Sequence, residues 1–225
     1  MSVPTGSCDG DYLVWNNTTG DWNIGSDNIA VGCNAGQNMQ GSYGIAIGKS
    51  AAQNSQGQNG IAIGNNSGQN NQGQNSFAAG YLAGYSTQGS NAVAIGNSTA
   101  QLNQGSNAVA IGVNSGQISQ GNNSISVGYF SGQSNQQQNS VAIGVNTGKL
   151  LQGEYSIALG YQAGKEYQGT NSIALGRLAG ETNQHENSII LNATGIALNT
   201  SVSQGLYVAP IRNSVAANIL YYDNT

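Results

Sequence analysis

Asn139-Ser140-Val141-Ala142-Ile143-Gly144 is followed by Val145-Asn146-Thr147-Gly148-Lys149-Leu150-Leu151-Gln152-Gly153-Glu154, and then Tyr155-Ser156-Ile157-Ala158-Leu159-Gly160 begins the pattern again. The closing glycines lie 16 residues apart. The same anchor recurs at Gly32, Gly48, Gly64, Gly80, Gly96, Gly112, Gly128, Gly144, Gly160 and Gly176, without one insertion or deletion. A second column falls eight residues after each anchor: Gln40, Gln56, Gln72, Gln88, Gln104, Gln120, Gln136, Gln152, Gln168 and Gln184. Gly follows this Gln in every copy except at Gln137 and His185. Four residues after the anchor stands Gly or Ala, from Gly36 and Ala52 to Gly180. Self-similarity at a fixed period marks a repeat architecture and is read before anything else.

The segment before each anchor alternates, as in Ser140-Val141-Ala142-Ile143-Gly144, and alternation rich in Val and Ile is a strand signal. No window carries a 3.6-residue apolar stripe, and Gly recurs too often for helix. Helical solenoids need about 34 residues or more per unit. The chain holds 34 Gly, 31 Asn and 22 Gln among 225 residues, a composition that permits disorder, but disorder does not keep register. The expectation is an all-β fold, a parallel β-roll or β-solenoid of ten 16-residue coils. Stacked at the inter-strand spacing of about 4.8 Å, ten coils make a rod of roughly 48 Å. The Gln column then becomes an amide ladder between coils.

Alternation also divides the residues between two faces. The positions two and four before the anchor hold almost only Ala, Ser and Gly, with Asn28 the exception. The positions three and one before it hold Ile45 and Ile47, Ile61 and Ile63, Val93 and Ile95, Val109 and Ile111, Val141 and Ile143, Ile157 and Leu159, Ile173 and Leu175. Phe77 beside Ala79 exchanges volume within that layer. A narrow roll rejects large side chains, so Ala and Ser are expected inside, in a tube lined by nothing larger than a methyl or hydroxymethyl group. The aliphatic columns are then outside, as a strip larger than the few hundred Å² a soluble monomer usually exposes. Copies of the same chain would cover it, with three chains about an axis along the rod. The competing arrangement is a monomer with Ile and Val inside.

Residues 1–26 break the repeat. Two apolar runs flank Asn16-Asn17-Thr18-Thr19-Gly20, which predicts a β-hairpin with Trp15 and Trp22 close across it, capping the first coil. The solenoid is assigned to 27–191 and a C-terminal β segment to 192–225, where Asn192 replaces the anchor and the register slips. Asn218-Ile219-Leu220-Tyr221-Tyr222-Asp223-Asn224-Thr225 matches the opening half of the hairpin, Tyr12-Leu13-Val14-Trp15-Asn16-Asn17-Thr18, without its return strand. The parent polypeptide is therefore expected to continue past Thr225, with the continuation missing or removed.

The unit Asn139-Ser140-Val141-Ala142-Ile143-Gly144 resembles the head repeat of trimeric autotransporter adhesins, over about residues 27–191. That resemblance implies a left-handed parallel β-roll, assembled as a trimer with aliphatic residues at the axis. The familiar unit is nearer 14 residues, and the family's signal peptide, coiled-coil stalk and membrane anchor are not seen. The segments around Tyr12–Trp22 and Leu206–Thr225 extend a closer resemblance, to fibre and tail-fibre-like proteins of large DNA viruses and phages. In those, similar repeats precede a self-cleaving chaperone that assists trimerisation; no chaperone residue is present here.

The chemistry available is sparse. Five basic residues cannot make a nucleic-acid footprint, and no run of 18 apolar residues spans a membrane. The start of the chain lacks the basic and apolar regions of a secretory signal. Cys8 and Cys33 are read as idle thiols or one bridge. His185 is expected to be a solvated turn residue, and Glu154, Glu166, Glu181 and Glu186 lie near Lys149, Lys165 and Arg177 as surface ion pairs. No carboxylate pair recurs in a column, so the chain is expected not to be an enzyme and to need no cofactor or metal. Tyr81, Tyr129 and Tyr161 share the column after the anchor and are candidates for stacking on a host-surface glycan or protein, or simply cover coil edges. The expected function is a trimeric structural fibre on a virion surface or outside the cell. A self-assembling functional amyloid or matrix fibre is the alternative. An ice-binding face would need a Thr column spanning the coils, and none exists.

Overall fold

A computed structural model describes residues 4, 6, 8, 9, 11–16, 19–25 and 27–211. Strand β1 (Tyr12–Asn16) and strand β2 (Asp21–Gly25) form the antiparallel hairpin, with Trp15 directly opposite Trp22. Strand β3 (Ile29–Val31) opens a parallel sheet of twelve strands that ends at Leu206–Ala209. Strand β4 (Asn38–Gln40) opens a second parallel sheet of nine strands that ends at Glu166–Gln168. Equivalent residues stack: Ala94 pairs with Ala110 in the first sheet and Gln104 with Gln120 in the second. The described residues contain no helix.

The expectation of ten coils is too small. The first sheet continues through Ile189–Asn192, where Ala174 pairs with Ile190, and on to Leu206–Ala209, where Ile190 pairs with Tyr207 after a step of 17. Asn192 closes the extra coil in place of Gly: its Nδ2 donates to the Arg177 and Ile196 carbonyls.

Five residues per coil carry positive φ. In one coil these are Ser98 (51°), Ala100 (47°), Asn103 (58°), Asn107 (57°) and Gly112 (127°). Such backbone lets two three-residue strands and two turns close in 16 residues, and Asn tolerates the left-handed region better than most residues. This explains much of the Asn content. The two Gly columns answer different demands. At the anchor, Gly112 sits at a φ that side chains avoid, and a Cβ would lie 2.6 Å from the Gly128 carbonyl oxygen. After the Gln column, Gly105 has ordinary φ, but a Cβ would lie 2.5 Å from the Asn122 nitrogen in the next coil. The two exceptions adapt. Gln137 N–H reaches the Gln152 carbonyl at 3.0 Å, the longest such bond in that column, and His185 N–H donates to Thr200 Oγ1 instead.

Alanine lies inside and, apart from Ile190, isoleucine outside. Ala46, Ala62, Ala78, Ala94 and Ala110 are fully buried, as are Ser124, Ser140 and Ser156, and the monomeric arrangement with Ile inside is excluded. The expected limit on side-chain size fails at Ile190, fully buried in the additional coil where Ala stands elsewhere, at Thr99 and Thr147, and along the whole Gln column. Gln136 and Gln152 are 1% and 0% exposed, and every Gln of the column from Gln56 to Gln184 is buried. The reason is polar satisfaction. All ten Gln Nε2 groups cross the lumen to donate to the carbonyl 11 residues back, as Gln104 does to Val93 at 2.9 Å. The second proton goes to the carbonyl four residues on, as from Gln56 to Gly60 at 2.9 Å. Each carbonyl four residues on also accepts a backbone N–H of the neighbouring coil, as Gly60 does from Ile45 at 2.9 Å, so the Gln amide adds a second hydrogen bond there and satisfies its own buried N–H groups.

Candidate functional site: the outer faces of the rod

The apolar strip is built by the outward residues of the first sheet. Ile47, Ile63, Ile95, Ile111 and Ile143 are exposed, Ile63 by 40%. Their companions two residues earlier, Ile45, Ile61, Val93, Val109 and Val141, are half-buried, and so are Ile157, Leu159, Ile173 and Leu175. The strip continues onto the additional coil as Ile189 and Leu191, both exposed. Beside it runs the column after the anchor, where Tyr81, Tyr129 and Tyr161 are exposed together with Val113 and Val145. The two valines were not singled out from the sequence; reading that column as a whole, rather than its aromatics alone, would have found them.

The three tyrosines have different neighbours. Tyr129 meets Phe130 edge-on, with ring centroids 4.2 Å apart, and Lys149 Nζ stands 5.1 Å above the Phe130 ring. Arg177 lies 5.9 Å from the Tyr161 ring centre. Both cations sit within cation–π range. Tyr81 has no described ring partner.

Amide ladders cover the turns. Asn59 Nδ2 donates to Asn75 Oδ1 at 3.0 Å, and the series continues through Asn91, Asn107 and Asn123 to Asn139, each donating to the next. Gln69 donates to Gln53 and Gln53 to Gln37, and Gln133 donates to Gln117 and Gln117 to Gln101, as shorter runs in the column five after the anchor. The buried Gln column forms a ladder only in pieces: Gln56 to Gln72, Gln88 to Gln104 to Gln120, and Gln136 to Gln152. Its two protons are already committed to carbonyls, so the inter-coil bond is a shared third contact. The Oε1 atoms of Gln56, Gln88, Gln168 and Gln184 are buried without a described partner.

Other expectations resolve locally. Both thiols are exposed and no bridge joins Cys8 to Cys33. Lys165 pairs with Glu166 at 3.3 Å and Glu181 at 3.7 Å, whereas Glu154 accepts from Gln138 Nε2 at 2.6 Å. Hydrogen bonding to Glu154 and its charge raise the Tyr155 phenol above the ordinary tyrosine pKa. His185 is tied to the fold rather than merely solvated, with Nδ1 2.7 Å from Thr200 Oγ1. Among the described residues, no three His, Cys, Asp or Glu side chains converge as metal ligands, and no helix is long and apolar enough to cross a membrane.

The hairpin differs from its expected role. Trp15 and Trp22 meet edge-on at 5.5 Å, but both remain nearly half exposed. The residue that reaches the first coil is Tyr12, whose Oη accepts from Ala30 N–H at 3.0 Å and donates to the Asn28 carbonyl at 2.5 Å. A cleft of about 630 Å³ separates hairpin and coil, lined in part by Tyr12, Trp15, Asp27, Asn34 and Gln37. The segment matching the hairpin at 218–225 lies outside the described residues. No protein-family model, curated protein or solved structure matches the chain.

Proposed function

We propose that this chain is a non-catalytic structural element of a fibre, a β-solenoid rod that packs sideways against two further copies through its aliphatic strip. The observation that carries this reading is the line of outward Ile, Val and Leu from Ile45 to Leu191, interrupted by Phe77 and Ala79 in one coil, on a chain whose interior is filled mainly by Ala, Ser and Gln. Outward apolar residues on ten successive strands are far more apolar surface than a soluble monomer usually leaves in water. Three copies with parallel rods about a common axis bring equal levels together, so Ile95 faces Ile95 and Ile111 faces Ile111. The resemblance to trimeric adhesin heads and to viral and phage fibres favours three copies and a place on a virion or outside the cell. In that setting Tyr81, Tyr129 and Tyr161 are candidates for contact with a host glycan or protein. Neither nucleic acid nor membrane is a partner in this reading.

A native mass of three times the 22.9 kDa chain is the expected result for the intact protein. The paired substitution Ile95→Asp and Ile111→Asp should reduce it to one chain while leaving the β circular dichroism unchanged. A single-chain mass for the unaltered protein sinks the proposal. The outer Asn ladder favours one second reading, a matrix fibre that lengthens by stacking, as amide ladders do in cross-β assemblies. That reading requires a mass that rises with concentration.

A further inference from the structure

Parallel strands use alternate residues to bond alternate neighbours. In β3, Ile29 and Val31 bond forward: Ile29 N–H donates to the Gly44 carbonyl, and the Val31 carbonyl accepts from Gly48 N–H. Ala30 N–H and the Asn28 carbonyl therefore face the other way, where no coil precedes them. In every later coil the equivalent groups bond the coil before. Tyr12 Oη takes both at once, accepting from the first and donating to the second. Its position is built into the hairpin. Tyr12 lies opposite Gly25, and a Cβ at Gly25 would come within 2.5 Å of the Tyr12 ring.

The far end offers the complementary groups. In the strand Leu206–Ala209, the carbonyls of Gly205 and Ala209 accept from Ile189 and Ala193 behind them. The backbone groups of Leu206 and Val208 then point away from the rod, and the Leu206 side chain is exposed. Mapped onto the interior register, Leu206 N–H of a second copy would meet the Asn28 carbonyl, and its carbonyl would meet Ala30 N–H. These are the two bonds that the Tyr12 phenol makes.

We propose that the hairpin is an end-stop, and that the N-terminal edge of the first sheet is a masked docking surface for the C-terminal edge of a second copy. Tyr12 competes with the Leu206 peptide of that copy for one pair of hydrogen-bonding groups. Unmasked, rods add head to tail in the same parallel register. This is independent of sideways packing, which involves side chains on the flank and not backbone at the ends.

The test is sedimentation of the full chain across a wide concentration range, with circular dichroism as the check on folding. The unaltered protein should keep one mass throughout. Tyr12→Phe retains the ring but loses both hydrogen bonds, and should show a mass that grows with concentration; Tyr12→Ala should grow further, several-fold. Adding Val208→Pro to Tyr12→Ala removes a forward N–H at the opposite edge and should restore a constant mass. A folded Tyr12→Ala protein whose mass stays constant overturns the proposal, as does lengthening of the unaltered chain or growth that survives Val208→Pro. The baseline mass reports sideways stoichiometry and its concentration dependence reports end addition, so failure of one reading is distinguishable from failure of the other.

Discussion

The two sheets enclose the same lumen but fill it in opposite ways. The first sheet turns a methyl or hydroxymethyl inward and isoleucine outward. The second turns a full-length glutamine inward and leaves Met, Asn, Ser, Thr, Leu or Tyr outward. In an ordinary core, apolar bulk is inside and amides are outside. Here backbone carbonyls that already bond the neighbouring coil, such as those of Gly60 and Ala108, open onto the lumen, and an amide long enough to cross it bonds them a second time. Space and hydrogen bonding, rather than hydrophobicity, therefore decide which side chains enter. The apolar residues left on the flank are free to serve contacts between chains.

The strongest way to break this contrast is to exchange the two kinds of residue within one strand. Ala110 is fully buried between Ala94 and Ser126, and Gly116 stands close enough that a Cβ on it would lie 3.2 Å from the Ala110 Cβ. Ala110→Leu should destabilise the fold by about 3 kcal/mol or more, the upper range for overpacking, read by chemical denaturation. Gln104→Leu keeps the volume and removes the amide from the Val93 and Ala108 carbonyls. The Ala108 carbonyl keeps its bond from Val93 N–H, so a loss of about 1–2 kcal/mol is expected from the missing amide bonds alone. An unchanged midpoint would show that the lumen needs bulk rather than hydrogen bonds there. The smallest effect belongs to the outside: Asn107→Ala removes one rung of the exposed ladder and places Ala at positive φ, for a loss of about 1 kcal/mol.

The period, the strands before each anchor and the orientation of Ala and Ile were legible from the sequence, because periodicity and side-chain size report on register and confinement directly. The position of the glutamines was not, because a polar residue in a small roll reads as outward. The available signal was constancy. All ten copies hold Gln, whereas the preceding residue runs from Met39 through Ser55 and Asn71 to Tyr167. A column that tolerates no change beside one that tolerates any is an interior column. The additional coil was hidden by Asn192, whose side chain replaces glycine at the anchor, and by the step of 17 that follows. The reach of Tyr12 to the edge of β3 depends on how the hairpin approaches the first coil, which no local pattern encodes.

The hydrogen bonds that join coil to coil run along the length of the rod. Tension applied between its two ends would load them head-on at the outermost coil first, and each coil released would pass the load to the next. Sixteen residues freed in this way extend by roughly 50 Å, against about 4.8 Å of rod consumed. Under traction the molecule would thus pay out in even increments, a ratchet-like tether whose step length is written in the spacing of its glycines.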